Sequence, residues 1–349
     1  NLRLLLARMY SLNNQLDKTV SLLADVEGNE ASPQAFWNLK GQALIATNNV
    51  EDATAFFDRW LSFYPQDKNA VLGKLLIVDS QKQFDQGLTL TNKVLAKRPD
   101  AQLTLLKAYF HSRLGQAKPA WEIINSTADD VKALPFVRGV IARLHLIDKA
   151  PEQAVEHAQA AYDATPNSDN ALLLIAALEM SGKKAQAFTF LEKHVQARSN
   201  DIPSAMLLAE RQIGKDRAAA IKTYEQVLTK TPDNFVVLNN LAYLALEDKN
   251  LTRAEELAKK AVSQQRENAD AVDTLAQIYV AKGDKAAALK LYEEVSARPI
   301  ANDDVYLNHV SVLLELDKKA LASRKLASRE FKSEAAKQRA ESLKQQYGL

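Results

Sequence analysis

Cysteine is absent from the 349 residues, which excludes disulfides, thiolate metal sites and cysteine nucleophiles and fits an oxidising or a reducing compartment equally well. Glycine is scarce, at ten residues, and β-branched clusters are few. Ala, Leu, Lys, Glu and Gln dominate instead, so helix is favoured nearly throughout and no β-sheet is expected. No apolar run reaches the roughly 18 residues of a bilayer-spanning helix, and no membrane insertion is expected. An excess of one charge is lacking too: 45 basic and 43 acidic residues, well mixed, leave a net +2, without the electrostatic footprint of a nucleic-acid or anionic-membrane ligand. The marks of catalysis are also missing. His111, His145, His157, His194 and His309 are scattered without metal-ligand spacing and are expected to be ordinary helix-surface or hairpin residues. No serine sits in a nucleophile elbow and no glycine-rich phosphate loop occurs. The pairs Asp129–Asp130 and Glu255–Glu256 fall in polar turns or on exposed faces. A non-enzyme without cofactor or metal is the expectation.

What the chain does have is a ruler of prolines. Pro65, Pro99, Pro166, Pro232 and Pro299 are separated by 34, 67, 66 and 67 residues, one and then two units of the same length. Proline stops one helix and suits the first turn of the next. Asp67, Asp100, Asn167, Asp233 with Asn234, and Asn302 follow closely and can accept hydrogen bonds from the free amides of a helix start. Such a repeat cannot bury its apolar face alone, so copies must stack. Ten units follow, beginning near Asn1, Gln34, Lys68, Ala101, Pro135, Asp169, Asp201, Phe235, Ala269 and Asp303. Residues 1–329 are expected to form the solenoid and residues 330–349 a polar capping helix. The apolar opening Leu2, Leu4, Leu5 and Leu6 leads to the expectation that further repeats precede this piece of chain.

Within a unit, apolar residues recur at helical spacing on two successive stretches. Leu238, Leu241, Ala242 and Ala245 are followed by Ala254, Ala258 and Ala261, and in the next unit Val272, Leu275, Ala276 and Tyr279 by Ala288, Tyr292 and Val295. The second unit has Trp37, Gly41, Leu44, Ala53, Phe57 and Pro65 at equivalent places, the fifth Ile141, Ala142, Ala154, Ala158, Ala161 and Pro166. This alternation of large and small residues resembles the tetratricopeptide repeat family. The register departs from the pattern at Lys107, at Gly87 and in a shortened turn at Gly182. The resemblance implies an all-α, right-handed superhelical solenoid of about ten helix-turn-helix repeats.

The same resemblance implies a concave groove lined by the first helices, with a protein or an extended peptide as ligand. Carried over by position, the groove residues are Asn38, Gln42, Asn69, Leu72, Leu76, Gly139, Arg143, Leu173, Ala177, Asn239, Tyr243, Asp270, Asp273 and Gln277. Asn239, Tyr243, Asp273 and Gln277 form the favoured polar patch. The lysine-asparagine-arginine clamp for acidic chaperone tails is not found on any three units. Phe63 and Tyr64 are read as packing onto the following unit, with a partner anchor as the alternative. Residues 238–242, 272–276 and 279–284 are similar to the C-terminal part of repeat lipoproteins associated with PEP-CTERM, exosortase and exopolysaccharide loci. That implies a periplasm-facing place in a bacterial envelope, the alternative being the cytoplasm. The expected role is a binding scaffold, with a structural spacer or a polysaccharide-handling module as alternatives.

Overall fold

A computed structural model describes residues 2–349. Among them are 22 helices and no strand, as the composition predicts. Contacts divide the chain into two compact units, Asn1–Ala187 and Phe188–Leu349. The first contains hairpins α1–α2 (Leu2–Leu12, Leu16–Leu22), α3–α4 (Gln34–Ala46, Val50–Phe63), α5–α6 (Lys68–Ser80, Phe84–Leu95) and α7–α8 (Ala101–Arg113, Ala117–Asn125). After the short α9 (Asp129–Lys132) come α10–α11 (Pro135–Ile147, Pro151–Ala164) and α12 (Ser168–Met180). The division falls within α13 (Lys184–Ala197). The second unit continues with α14–α15 (Ile202–Ile213, Arg217–Lys230), α16–α17 (Phe235–Glu247, Leu251–Gln264), α18–α19 (Ala269–Ala281, Lys285–Val295), α20–α21 (Asp303–Glu315, Lys319–Ala327) and a last helix, α22 (Glu334–Tyr347).

The residues after the prolines act as helix caps. Side chains of Asp67, Asp100, Asn167, Asn234 and Asn302 accept from the amides of Ala70, Leu103, Asn170, Val237 and Asp304, satisfying donors that have no partner within the helix. The second helices use the same device at Asn49, Asp216, Asn250 and Asp284. Between the two helices of nearly every hairpin one residue takes the left-handed conformation: Asn14, Asn48, Lys82, Gly115, Lys149, Gly182, Lys249, Gly283 and Asp317 have φ between 54° and 84°. The backbone thus repeats its geometry even where the sequence does not supply glycine.

Packing follows the alternation of large and small. In the first unit the rings of Trp37 and Trp60 stack at 5.6 Å and those of Phe57 and Trp60 at 5.8 Å. Gly73 of α5 lies so close to this cluster that a Cβ there would stand 2.1 Å from the Phe57 ring. Gly87, an odd residue in the sequence pattern, is explained likewise: a Cβ would meet the Phe110 ring at 2.5 Å. In the second unit alanines take this role, with Ala242, Ala254, Ala258, Ala261, Ala276 and Ala288 fully buried. Neighbouring repeats are also tied by polar bonds across about one repeat length, such as Gln34 to Asp67, Lys68 to Asp100 and Asn302 to Asp270.

Several side chains make contacts that the sequence pattern does not show. Phe63 and Tyr64 turn back onto Trp37, at ring distances of 6.2 and 6.4 Å, and the Tyr64 hydroxyl donates to the Glu30 carbonyl at 2.6 Å. They help to close their own hairpin against the preceding turn, and both pack on the core cluster that also holds Ala70 and Ile77 of α5. Of the two places expected for the histidines, His111, His194 and His309 take the hairpin interior and not the helix surface. Lys40, which the apolar pattern gives no reason to single out, is also buried. Its ammonium donates to the carbonyls of Leu23, Ala24 and Val26 at 2.7, 3.3 and 2.7 Å, capping the end of α2. Burial pulls its pKa below that of an ordinary lysine.

Candidate functional site

In the first unit the helices α5, α7, α10 and α12 together line a cavity of about 510 Å³, within the range of ligand-binding pockets. Its walls are apolar: Leu72, Leu76, Leu106 and Phe136. Leu76 and Phe136 are 56% and 45% exposed, so this lining is open to solvent. Gly139 gives the floor its depth. A Cβ there would make ordinary contact with Ala161 Cβ and Asn170 Oδ1, both at 3.7 Å, so no packing constraint demands glycine.

Polar groups at the base of the cavity are mostly used up by one another. The Tyr109 hydroxyl donates to Asp79 Oδ1 at 2.7 Å and accepts from Arg113 Nη1 at 2.7 Å. Arg113 also reaches Asp169 Oδ2 at 3.4 Å and lays its guanidinium 4.2 Å from the Phe84 ring centroid. Burial and then the Asp79 carboxylate push the Tyr109 phenol far up from its ordinary pKa, so it remains a donor throughout the physiological range. Arg143 differs. Its Nε is fully covered without a hydrogen-bond partner, and burial, followed by the neighbouring Arg113, lowers its pKa. No hydrogen bond or ion pair to its side chain is found among the described residues.

The expected groove residues separate into four groups. Leu72, Leu76, Gly139 and Arg143 come together in this cavity. Asn38, Gln42 and Asn69 lie earlier in the same unit, with Asn69 Nδ2 donating to Asn38 Oδ1 at 3.0 Å and Gln42 exposed. Leu173 and Ala177 are buried at 4% and 0% exposure and belong to the packing. The remaining five are in the second unit. Tyr243 is 48% exposed, Asn239 keeps a covered Oδ1 without a donor, and Asp270 accepts from Asn302. Asp273 is buried at 8% exposure. It accepts from Tyr292 Oη at 2.5 Å, from Asn308 Nδ2 at 2.9 and 3.0 Å and from Gln277 Nε2 at 2.7 Å. Arg339 of α22 then donates to Asn308 Oδ1 at 2.5 Å. Asp273 and Gln277 are thus joined to a structural network.

Sequence reasoning misses Asp79, Tyr109 and Phe136. Counted from the repeat start at Ala101, Tyr109 holds the place that Arg143 holds from Pro135 and Leu76 from Lys68. The signal is present, but Lys107 makes the fourth unit's register ambiguous. No group of three or more metal-ligating side chains occurs among the described residues, and no described helix is long and apolar enough to cross a membrane.

Comparison with known proteins agrees with this architecture. The tetratricopeptide repeat family model matches residues 13–68 and 207–272, supporting that family for the repeats of this chain. No curated protein matches the sequence significantly. Among solved structures, the chain is similar to one from the APC/C hetero-tetramer Cut9–Hcn1, at 13% identity over 97% of this chain and 82% of that one, with a TM-score of 0.52. It is similar to the human IFIT1 dimer with PPP-AAAA at 15% identity over 84% of this chain and 81% of that one, also with a TM-score of 0.52. These likenesses establish the fold, an all-α solenoid of tetratricopeptide type, and no enzymatic family is indicated.

Proposed function

We propose that the chain is a protein-binding scaffold that receives an extended polypeptide segment along the first helices of its first unit. The observation that carries this is the cavity between α5, α7, α10 and α12, bordered by the exposed side chains Leu76 and Phe136. Apolar pockets with a few polar groups at their base suit the alternating side chains of an extended peptide. The fold supports the same reading, because stacked hairpins offer long surfaces and no catalytic constellation. A photo-crosslinking amino acid placed at Leu76, at Phe136 and, for comparison, at Tyr243 tests it in the producing cell. Defined adducts are expected at the first two positions. No adduct at Leu76 or Phe136 would favour a structural spacer. A place in the bacterial envelope, and a part in PEP-CTERM protein or exopolysaccharide export, is supported only by the resemblance of residues 238–242, 272–276 and 279–284. Direct glycan handling is not favoured, because aromatic platforms along this face are few.

A further inference from the structure

Resting on that reading, we infer that the segment bound in the first unit carries an acidic side chain, whose carboxylate is held by Arg143 while adjacent apolar side chains fill the space between Leu72, Leu76 and Phe136. Arg143 belongs to α10, the third of the four helices around the cavity. Its neighbours are already engaged: Asp79 holds the Tyr109 hydroxyl, and Asp169 faces Arg113. Arg143 alone offers its guanidinium to no protein group, and its Nε is fully covered.

A guanidinium has five N–H donors and cannot readily shed its charge. Nε is covered and out of a ligand's reach, but the two Nη nitrogens are not among the covered atoms and bond to no protein group, and a carboxylate matches such a pair of nitrogens with two parallel hydrogen bonds. The lining carries Asp79 and Asp169 beside Arg143, with Arg113 behind them on Tyr109 and Asp169, so recognition comes from short-range bonds and not from a long-range field. A weak dependence of affinity on salt follows. The chemistry points to an acidic side chain within a segment and not to a chain terminus. Helices continue the face on both sides of α10, with Leu72 and Leu106 before it and Asn167 and Asn170 after it, so a bound segment has wall to follow in both directions.

The test uses the full chain and a displayed library of short random peptides, followed by affinity measurements on the selected peptides. Each is remade with its acidic residue changed to the matching amide, and once more with the acid offered only as a free C-terminus. Enrichment of an acidic residue flanked by apolar ones is expected. The amide version and the variant Arg143→Met should each weaken binding about ten- to hundred-fold, the range of a charged hydrogen-bonded pair, and the two losses should not add. Arg143→Met should melt no lower than the parent, because Arg143 supports nothing in the folded chain. Peptides selected without an acid, full affinity for the amide version, or binding only through a free C-terminus would overturn the carboxylate assignment and leave the scaffold reading standing. A destabilised Arg143→Met would assign the arginine to structure and overturn the inference too. Recovery of no peptide that competes with crosslinking at Leu76 would overturn both readings.

Discussion

The first-helix faces of the two units obey one register and reach opposite ends. Counted from the repeat starts at Pro135 and Ala269, Arg143 is the ninth residue and Asp273 the fifth, both at positions where a helix can face a ligand. In the second unit, α19, α20 and α18 itself supply Tyr292, Asn308 and Gln277 to Asp273, and the charge is satisfied from within. In the first unit the polar neighbours are engaged elsewhere, Asp79 by the Tyr109 hydroxyl and Asp169 by Arg113, and none of them bonds to Arg143. The Asp273 charge is part of the fold, whereas the half-buried Arg143 bonds to no protein group. A polar side chain on a solenoid face becomes a candidate for binding only after its neighbours have been given the chance to occupy it.

Removing each charge should expose the contrast most strongly. Asp273→Ala leaves the Tyr292 hydroxyl and the Asn308 amide without their acceptor, and unsatisfied buried donors should cost about 3 kcal/mol of stability. Arg143→Met should cost nothing measurable. Hydrogen exchange of the amides in α18–α20 against those in α10–α12 checks both at once, and equal losses of protection in the two variants would erase the distinction between the two charges.

Acid should sharpen it. His309 stacks on Tyr292 at 5.1 Å and meets Ser296 Oγ at 3.1 Å, facing Glu293, Arg324 and Lys325 across a shallow cavity. Burial, then the charge of Lys325, lowers its pKa from 6.5 to about 4. The unfolded chain therefore takes up the proton first. The stabilisation is complete above about pH 6.5 and is lost as the pH falls toward 4. Between pH 7 and pH 5 this amounts to about 2 kcal/mol in the second unit. His145 and His157 of the first unit are shifted in the same direction, mainly by burial, so the measurement must isolate His309. His309→Phe keeps a ring on Tyr292 and should remove most of the pH dependence of α20 protection. An unchanged profile would place the acid sensitivity elsewhere.

How much of this is legible in the sequence differs by level. Helix starts can be read because proline and an Asp or Asn cap act locally, through atoms a few residues apart. Small positions such as Ala242 and Ala276 can be read because the hairpin repeats them. What cannot be read depends on which groups meet across repeats. Asp273 and Arg143 look alike as polar residues on a face, and only the placement of Tyr292, Asn308 and Gln277 makes one of them structural. Lys40 gives no sign in the sequence that it turns to the carbonyls of Leu23 and Val26, and Gly87 looks like a defect until Phe110 is placed against it. The positions of Phe63 and Tyr64 show that they pack, but not that they also turn back onto Trp37 and the Glu30 carbonyl.

The smallest effect concerns the turns, where the units are alike. Lys82 and Lys149 in the first unit and Lys249 in the second hold φ of 57–59°, while Gly115, Gly182 and Gly283 serve the same turn at 71–84°. For a residue with a Cβ this conformation costs about 1 kcal/mol or more, which glycine avoids although it brings greater freedom to the unfolded chain. Relief of the strain should slightly outweigh that added freedom, so Lys249→Gly should raise stability by about 0.5 kcal/mol, with Gly283→Ala losing about 1 kcal/mol at the equivalent place. Both are read by chemical denaturation. If Lys249→Gly lowers stability, the lysine side chain contributes to its turn beyond the backbone geometry, and the equivalence of the glycine and lysine turns fails.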